Sequence, residues 1–135
     1  MRYLIMIRGL PGSGKTSLAN LMALGKNAVT CAADDFFMEN GVYNFDLSKV
    51  PSAHMDCQHR VKTAIENKVD NIIVHNTFSQ TWEMEPYFKM IRGTNYRLII
   101  IDLFDQGCDD QTLVERNQHN VPIEAINRMR NRWQH

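Results

Sequence analysis

Gly9-Leu10-Pro11-Gly12-Ser13-Gly14-Lys15-Thr16 decides the reading of this chain. It follows an apolar run, Tyr3 to Ile7, that reads as a buried strand, and it opens onto a helix-like segment, Ser17 to Leu24. In a strand–loop–helix setting the glycines let successive backbone N–H groups curl around a polyphosphate. The Lys15 ammonium reaches the terminal phosphates, and the Thr16 hydroxyl takes a place on Mg²⁺. The helix N-terminus behind the loop adds its partial positive charge. Gly9, Pro11, Gly12, Ser13, Gly14, Lys15, Thr16 and Ser17 are the expected nucleotide-binding residues, with ATP and Mg²⁺ as the expected cofactors. The alternative is a bare glycine-rich turn, which the flanking strand and helix disfavour.

A chain of 135 residues is long enough for one domain with a real core, and residues 1–135 are read as that single domain. Fifteen basic against fifteen acidic residues argue against a protein that holds nucleic acid through its global field, while leaving room for a local basic groove. Charge is uneven along the chain: Asp102, Asp105, Asp109 and Asp110 form an acidic run, and Arg116, Arg128, Arg130 and Arg132 make the end basic. Cys31, Cys57 and Cys108 are odd in number and widely spaced, so reduced thiols in a cytoplasmic protein are expected. The first apolar run is too short for a signal-peptide core, and no segment is long enough to cross a bilayer, so no membrane partner is expected.

Four apolar, β-rich runs, Tyr3–Arg8, Ala28–Ala32, Asn71–His75 and Tyr96–Leu103, alternate with helical patterns. That alternation implies an α/β fold with a parallel sheet covered by helices on both faces. A long helix is expected from about Ser52 to Asn67, with Pro51 suited to its first turn. Thr77 to Ile91 is helical in tendency, with Pro86 expected to kink or interrupt it and Gly93 to stop it. Two short helices, about Asp110–Gln118 and Pro122–Trp133, close the chain; Ile123, Ile126, Met129 and Trp133 repeat at helical spacing. Ligands of such sheets collect beyond the carboxyl ends of the strands, so residues 9–16, 33–37, 75–80 and 104–109 are the candidate site.

Several segments taken together then resemble a known family. They are the phosphate-binding loop, Ala33-Asp34-Asp35-Phe36-Phe37, Ala53-His54 with Gln58, Asn76-Thr77 followed by Gln80-Thr81-Trp82-Glu83-Met84, and Arg116-Asn117-Gln118-His119-Asn120-Val121-Pro122. This ordered set is similar to the P-loop kinases related to bacteriophage polynucleotide kinase, and to the kinase-like domain of certain animal ubiquitin-ligase-binding proteins. The likeness runs from the first strand to the last helix. It implies a three-layer P-loop NTPase-like sandwich with a short, about four-stranded parallel sheet and a C-terminal helical lid region. It implies transfer of the ATP γ-phosphate to a hydroxyl, the 5′-hydroxyl of DNA or RNA in the characterised relatives, with 5′-ended or single-stranded nucleic acid as a partner.

Within that resemblance Asp34 matches the acceptor-activating aspartate, which orients and deprotonates the attacking hydroxyl. A loose phosphoryl-transfer transition state needs an in-line nucleophile and charge neutralisation more than covalent help. The alternative is that Asp34-Asp35 caps a turn after the second strand. Adjacent residues point to opposite faces, so one carboxylate is expected to face the phosphate, with Asp35 in a structural or metal-water role beside Thr16. Arg116 matches the lid arginine on the ATP phosphates, where a planar guanidinium binds oxygens bidentately. Its alternative is an ion pair with Asp109 or Asp110. Lys15, Asp34 and Arg116 are thus the expected catalytic set.

Other residues have two readings each. His119 is a site residue or an exposed polar one; Asp102 is a magnesium-strand acid or unrelated to metal; Arg128 and Arg132 read as a solvated face. Trp82, Met84 and Tyr87 border the acceptor or pack on the sheet, and His54 and Gln58 border the cleft or bond a loop. Two departures from the family matter. His75 stands where relatives usually place an aspartate before Asn-Thr, and Phe37 stands where the bacteriophage enzyme carries a substrate-binding arginine. Phe36 and Phe37 stack on a base or belong to the core. Two further functions stay open: a kinase of a nucleoside or other small hydroxyl compound, and an ATP-binding interaction module with little or no phosphotransfer.

Overall fold

The computed structural model describes residues 1–25 and 27–135. Strand β1 (Arg2–Gly9) leads through the glycine-rich loop into helix α1 (Lys15–Ala23), and strand β2 (Ala28–Cys31) follows. A 3₁₀ turn, Ala33–Phe37, then runs into a small hairpin of β3 (Met38–Glu39) and β4 (Val42–Tyr43). Helix α2 (Val50–Glu66), strand β5 (Asn71–Asn76), helix α3 (Glu85–Ile91) and strand β6 (Tyr96–Phe104) complete the main body. Helices α4 (Asp110–Arg116) and α5 (Ile123–Asn131) form the C-terminal region.

The sheet is wholly parallel, in the order β2-β5-β1-β6. Its inner strands are apolar on both sides, and the alternation of side chains divides them between two cores. Leu4, Met6, Ile72 and Val74 face α2 and α3, together with the α2 stripe Ala53, Cys57, Val61 and Ala64. Ile5, Ile7 and Ile73 face α1 through Ala19 and Leu18. Each fully buried aliphatic side chain contributes about 1.5–3 kcal/mol, so these two layers fix the register of the sheet. A third cluster, Leu10, Leu113, Ile126 and Trp133, fastens α4 and α5 to the loop after β1. Strand β6 lies at the edge, with Leu98, Ile99 and Ile100 all exposed.

The expected four strands and the C-terminal helices are present, one local expectation is corrected, and one element was not expected. Pro86 does not kink a helix from Thr77 to Ile91. A 3₁₀ turn, Thr81–Met84, precedes α3, and Pro86 occupies the first turn of that helix, where a missing N–H costs nothing. The hairpin at Met38–Tyr43 has no counterpart in the sequence reading. Its turn is Asn40-Gly41, both at positive φ (52° and 79°), the two-residue pattern that matches the twist of paired strands. No helix among the described residues is long and apolar enough to cross a membrane.

Candidate active site

The carboxyl ends of the four sheet strands open onto one edge, and the predicted site segments meet there. Gly12 and Gly14 have φ of 83° and 98°, a left-handed backbone that turns the loop back on itself. A β-carbon on Gly12 would also run into the Leu113 carbonyl oxygen, so α4 rests directly on the loop. Leu10 is fully buried beneath it, and Ser13 is buried beside Gly9. Thr16 and Ser17 are exposed in the first turn of α1.

Lys15 folds over its own loop, donating to the carbonyls of Gly9 (2.8 Å) and Leu10 (3.1 Å). Burial lowers its pKa from 10.5 to about 8, and the nearby Asp34 carboxylate works against that fall. Polyphosphate oxygens offer charged, stronger acceptors for the same donor.

Asp34 and Asp35 sit in the turn after β2, and their surroundings separate them. The Asp35 carboxylate accepts from the Ala32 N–H (3.0 Å) and from Arg60 (3.1 Å). Arg60 also donates to the Ala32 carbonyl (2.8 Å) and pairs with Asp56 on α2 (3.0 Å). Asn76, at the end of β5, accepts from the Ala33 N–H (2.8 Å). Three side chains from three elements thus hold this turn in place. Asp34 projects to the surface, accepting from the Tyr43 hydroxyl (2.9 Å), with His119 Nε2 at 3.6 Å from its other oxygen. Tyr43 and His119 stack at 4.0 Å between centroids. Burial first, and Asp34 second, raise the Tyr43 pKa, so the hydroxyl stays a donor.

Arg116 ends α4, one turn beyond Leu113, and is exposed. The acids offered as its ion-pair partners are engaged elsewhere: Asp109 caps α4 through the Thr112 N–H, and Asp110 binds Arg130 and Asn127. Arg116 instead contacts the Cys108 sulfur at 3.3 Å. Asn117 staples the following loop with bonds to Leu113, Val114 and Val121, which carries His119 across to Asp34. His75 is buried near the end of β5, and desolvation lowers its pKa; Lys15, Asp34, Asp35 and Arg60 all act on it. The imidazole is therefore neutral at neutral pH.

No group of three His, Cys, Asp or Glu residues suited to a metal occurs among the described residues. The donor set nearest the loop is Thr16, and the Asp35 oxygen that faces Ala32 is already bonded to Arg60. That set fits a Mg²⁺ held chiefly by nucleotide phosphates and water, with Thr16 as the protein ligand.

Other predicted residues lie outside this constellation. Asp102 pairs with the buried Arg8 (3.4 Å), whose guanidinium also donates to the Phe78 carbonyl (2.6 Å) and lies 4.4 Å from the Trp133 ring. Met84, Tyr87 and Phe37 are core residues, whereas Trp82 is exposed and does not pack on the sheet. His54 and Gln58 are half-buried on α2. Arg132 is tied to Ser79 (3.0 Å) rather than only solvated. Tyr43 escaped the sequence reading, although the Asn40-Gly41 turn pointed to the hairpin that carries it.

Residues 4–135 match the AAA domain family. Human NEDD4-binding protein 2 is 38% identical over 133 residues, 97% of this chain, which spans only 8% of that relative's length. Among solved structures, a chain of the Pnkp1/Rnl/Hen1 RNA repair complex superposes with a TM-score of 0.70 at 19% identity, covering 97% of this chain and 43% of that one. A putative kinase from Chloroflexus aurantiacus gives 0.63 at 23%, covering 85% and 64%. A sugar kinase from Janibacter sp. gives 0.64 at 16%, covering 100% and 79%. The chain belongs to the AAA domain family and has a P-loop kinase fold.

Proposed function

We propose that this chain is an ATP-dependent phosphotransferase whose acceptor is a hydroxyl, in first place the 5′-hydroxyl of DNA or RNA. The observation that carries this reading is the placing of Asp34. Its carboxylate is exposed and accepts from the Tyr43 hydroxyl, on a turn clamped by Asn76 and Arg60, close enough to Lys15 to support that ammonium's charge. A nucleotide-binding loop alone needs no such acid. Phosphoryl transfer does, because the incoming hydroxyl has to be aligned and relieved of its proton.

The chain's own residues divide the work. The backbone N–H groups of residues 12–16 and the Lys15 ammonium hold the triphosphate. Thr16 would hold Mg²⁺, which neutralises phosphate charge when bound. Arg116, which ends α4 one turn beyond the Leu113 that lies against Gly12, binds the γ-phosphate oxygens as charge spreads over them. Asp34 accepts the acceptor's proton while the hydroxyl oxygen bonds to the γ-phosphorus and the bond from that phosphorus to the β,γ-bridging oxygen breaks, releasing ADP. Tyr43, donating to one Asp34 oxygen, holds the carboxylate, and the other oxygen, which faces His119 Nε2 at 3.6 Å, receives the acceptor's proton. The RNA repair assembly in which a structural neighbour was solved supports a nucleic-acid acceptor, and the name of the human relative supports a role within a longer, partner-binding protein.

The test is transfer of labelled γ-phosphate from ATP to 5′-hydroxyl DNA, 5′-hydroxyl RNA, nucleosides and sugars. Transfer to the 5′-hydroxyl substrates is expected, with loss on Asp34→Ala. Full activity of Asp34→Ala would remove it as the base, and labelling of sugars alone would move the acceptor to small hydroxyl compounds.

A further inference from the structure

The hairpin β3–β4 and the segment that follows it border a cleft of about 480 Å³, lined by Phe36, Phe45, Glu39, Asp46 and Lys49 among others; Phe36 follows Asp34-Asp35 in the same 3₁₀ turn. Its aromatic rings are only partly covered: Phe36 is 39% exposed and Phe45 is 54% exposed. They are also firmly based. The buried Phe37 ring supports both, at 5.5 Å from Phe36 and 5.1 Å from Phe45. Phe45 lies nearly parallel to Tyr43 (17°, 6.3 Å), and Tyr43 is the residue that bonds Asp34. One aromatic ladder therefore joins the cleft to the carboxylate that receives the proton.

The charge of the cleft limits what it holds. Lys49 is its sole cation among the lining residues, set against Glu39 and Asp46, and Asp46 already pairs with it at 3.9 Å. A surface with that balance has no track for a run of phosphates. Partly exposed, rigidly backed aromatic faces suit a planar ring, which stacks whatever its sequence. Polar groups at the rim, Asn44 among them, meet the edge of such a ring.

We propose that this cleft is the subsite for the acceptor's terminal nucleoside, stacked on Phe36 and Phe45, and that the acceptor is gripped through that one nucleoside rather than along its backbone. The assignment rests on the 5′-hydroxyl reading above and narrows it: nucleotides beyond the first add nothing to binding.

The experiment uses a 5′-hydroxyl dinucleotide with 2-aminopurine at its 5′ end, whose fluorescence is quenched on stacking, titrated in the presence of a non-hydrolysable ATP analogue. Quenching is expected with the native chain, and affinity falls about tenfold in Phe45→Ala and in Phe36→Ala. Phe45→Tyr retains most of it, and affinity for the ATP analogue, which reports an intact fold, does not change. In turnover assays, KM for 5′-hydroxyl oligonucleotides of two, four and eight residues agrees within about twofold and varies little with salt. An affinity that climbs with length and falls steeply with salt overturns the proposal. So does undiminished quenching in both alanine variants, or no quenching while transfer proceeds, which hands the cleft to another occupant such as an apolar polypeptide segment. Quenching without phosphotransfer to any acceptor leaves the subsite standing and removes the kinase reading instead.

Discussion

In the role proposed for it, Lys15 makes a proton part of nucleotide binding. Burial against the loop lowers the pKa of its ammonium from the ordinary 10.5 to about 8, because it penalises the charge. The sign follows directly. The penalty is complete below about pH 8 and disappears as pH approaches 10.5, so this group makes the free fold more stable as pH rises through that window. Nucleotide binding runs the other way, since triphosphate oxygens favour the charged form and return the pKa to or above its ordinary value. At pH 7 about nine-tenths of the free protein already carries the charge, and at pH 9 about one-tenth does. ATP affinity should therefore fall about tenfold between pH 7 and pH 9, and binding should take up about 0.1 proton at pH 7 and about 0.9 at pH 9. Titration calorimetry in buffers of different ionisation enthalpy measures both quantities. Working above pH 7 keeps the terminal phosphate of ATP ionised, and Lys15→Met provides the baseline without the group. Equal enthalpies in all buffers at pH 9, with unchanged affinity, would refute the argument and return Lys15 to an exposed, ordinary lysine.

Three further outcomes follow from particular contacts. Gly12→Ala combines a left-handed backbone with a β-carbon against the Leu113 carbonyl, and should cost about 2–4 kcal/mol in thermal unfolding and abolish ATP binding; a stable, binding variant would show that α4 yields freely. Asn76→Ala leaves the buried Ala33 N–H without its acceptor, and should cost about 1–3 kcal/mol while lowering kcat more than ATP affinity, as the Asp34 turn loosens. Arg116→Lys keeps the charge but loses the planar fork; we expect kcat to drop at least about tenfold with unchanged melting temperature, and wild-type turnover would assign Arg116 to the surface.

Much of this arrangement can be read in the chain before any coordinates. The inner strands are continuous apolar runs bounded by turn residues, and such runs in alternation with helical periods admit few folds. The loop at residues 9–16 carries its own geometry in its glycines. What escapes such reading is pairing between distant residues. Nothing in Asp34-Asp35 says which acid Arg60 will take, because the two are brought together only when α2 packs under β2. His119 reads as a polar loop residue until Asn117 staples that loop over the turn. Asp102 follows an apolar run as a metal-binding acid would, but it lies within β6 and its partner is Arg8 one strand away. The hairpin was legible in principle from Asn40-Gly41, but strands of two residues leave almost no periodic trace.

Strand β6 has a consequence of another kind. Its nine residues bring Leu98, Ile99 and Ile100 to the outermost position of the sheet, bracketed by Arg97 and Asp102. A long, apolar strand in that position is a template for any other extended chain, and a second molecule is the nearest source at high concentration. Loss of material should then scale with protein concentration on storage. Ile100→Lys, at the most exposed of the three positions (44%), is the natural gatekeeper, and should lengthen the working life of the preparation.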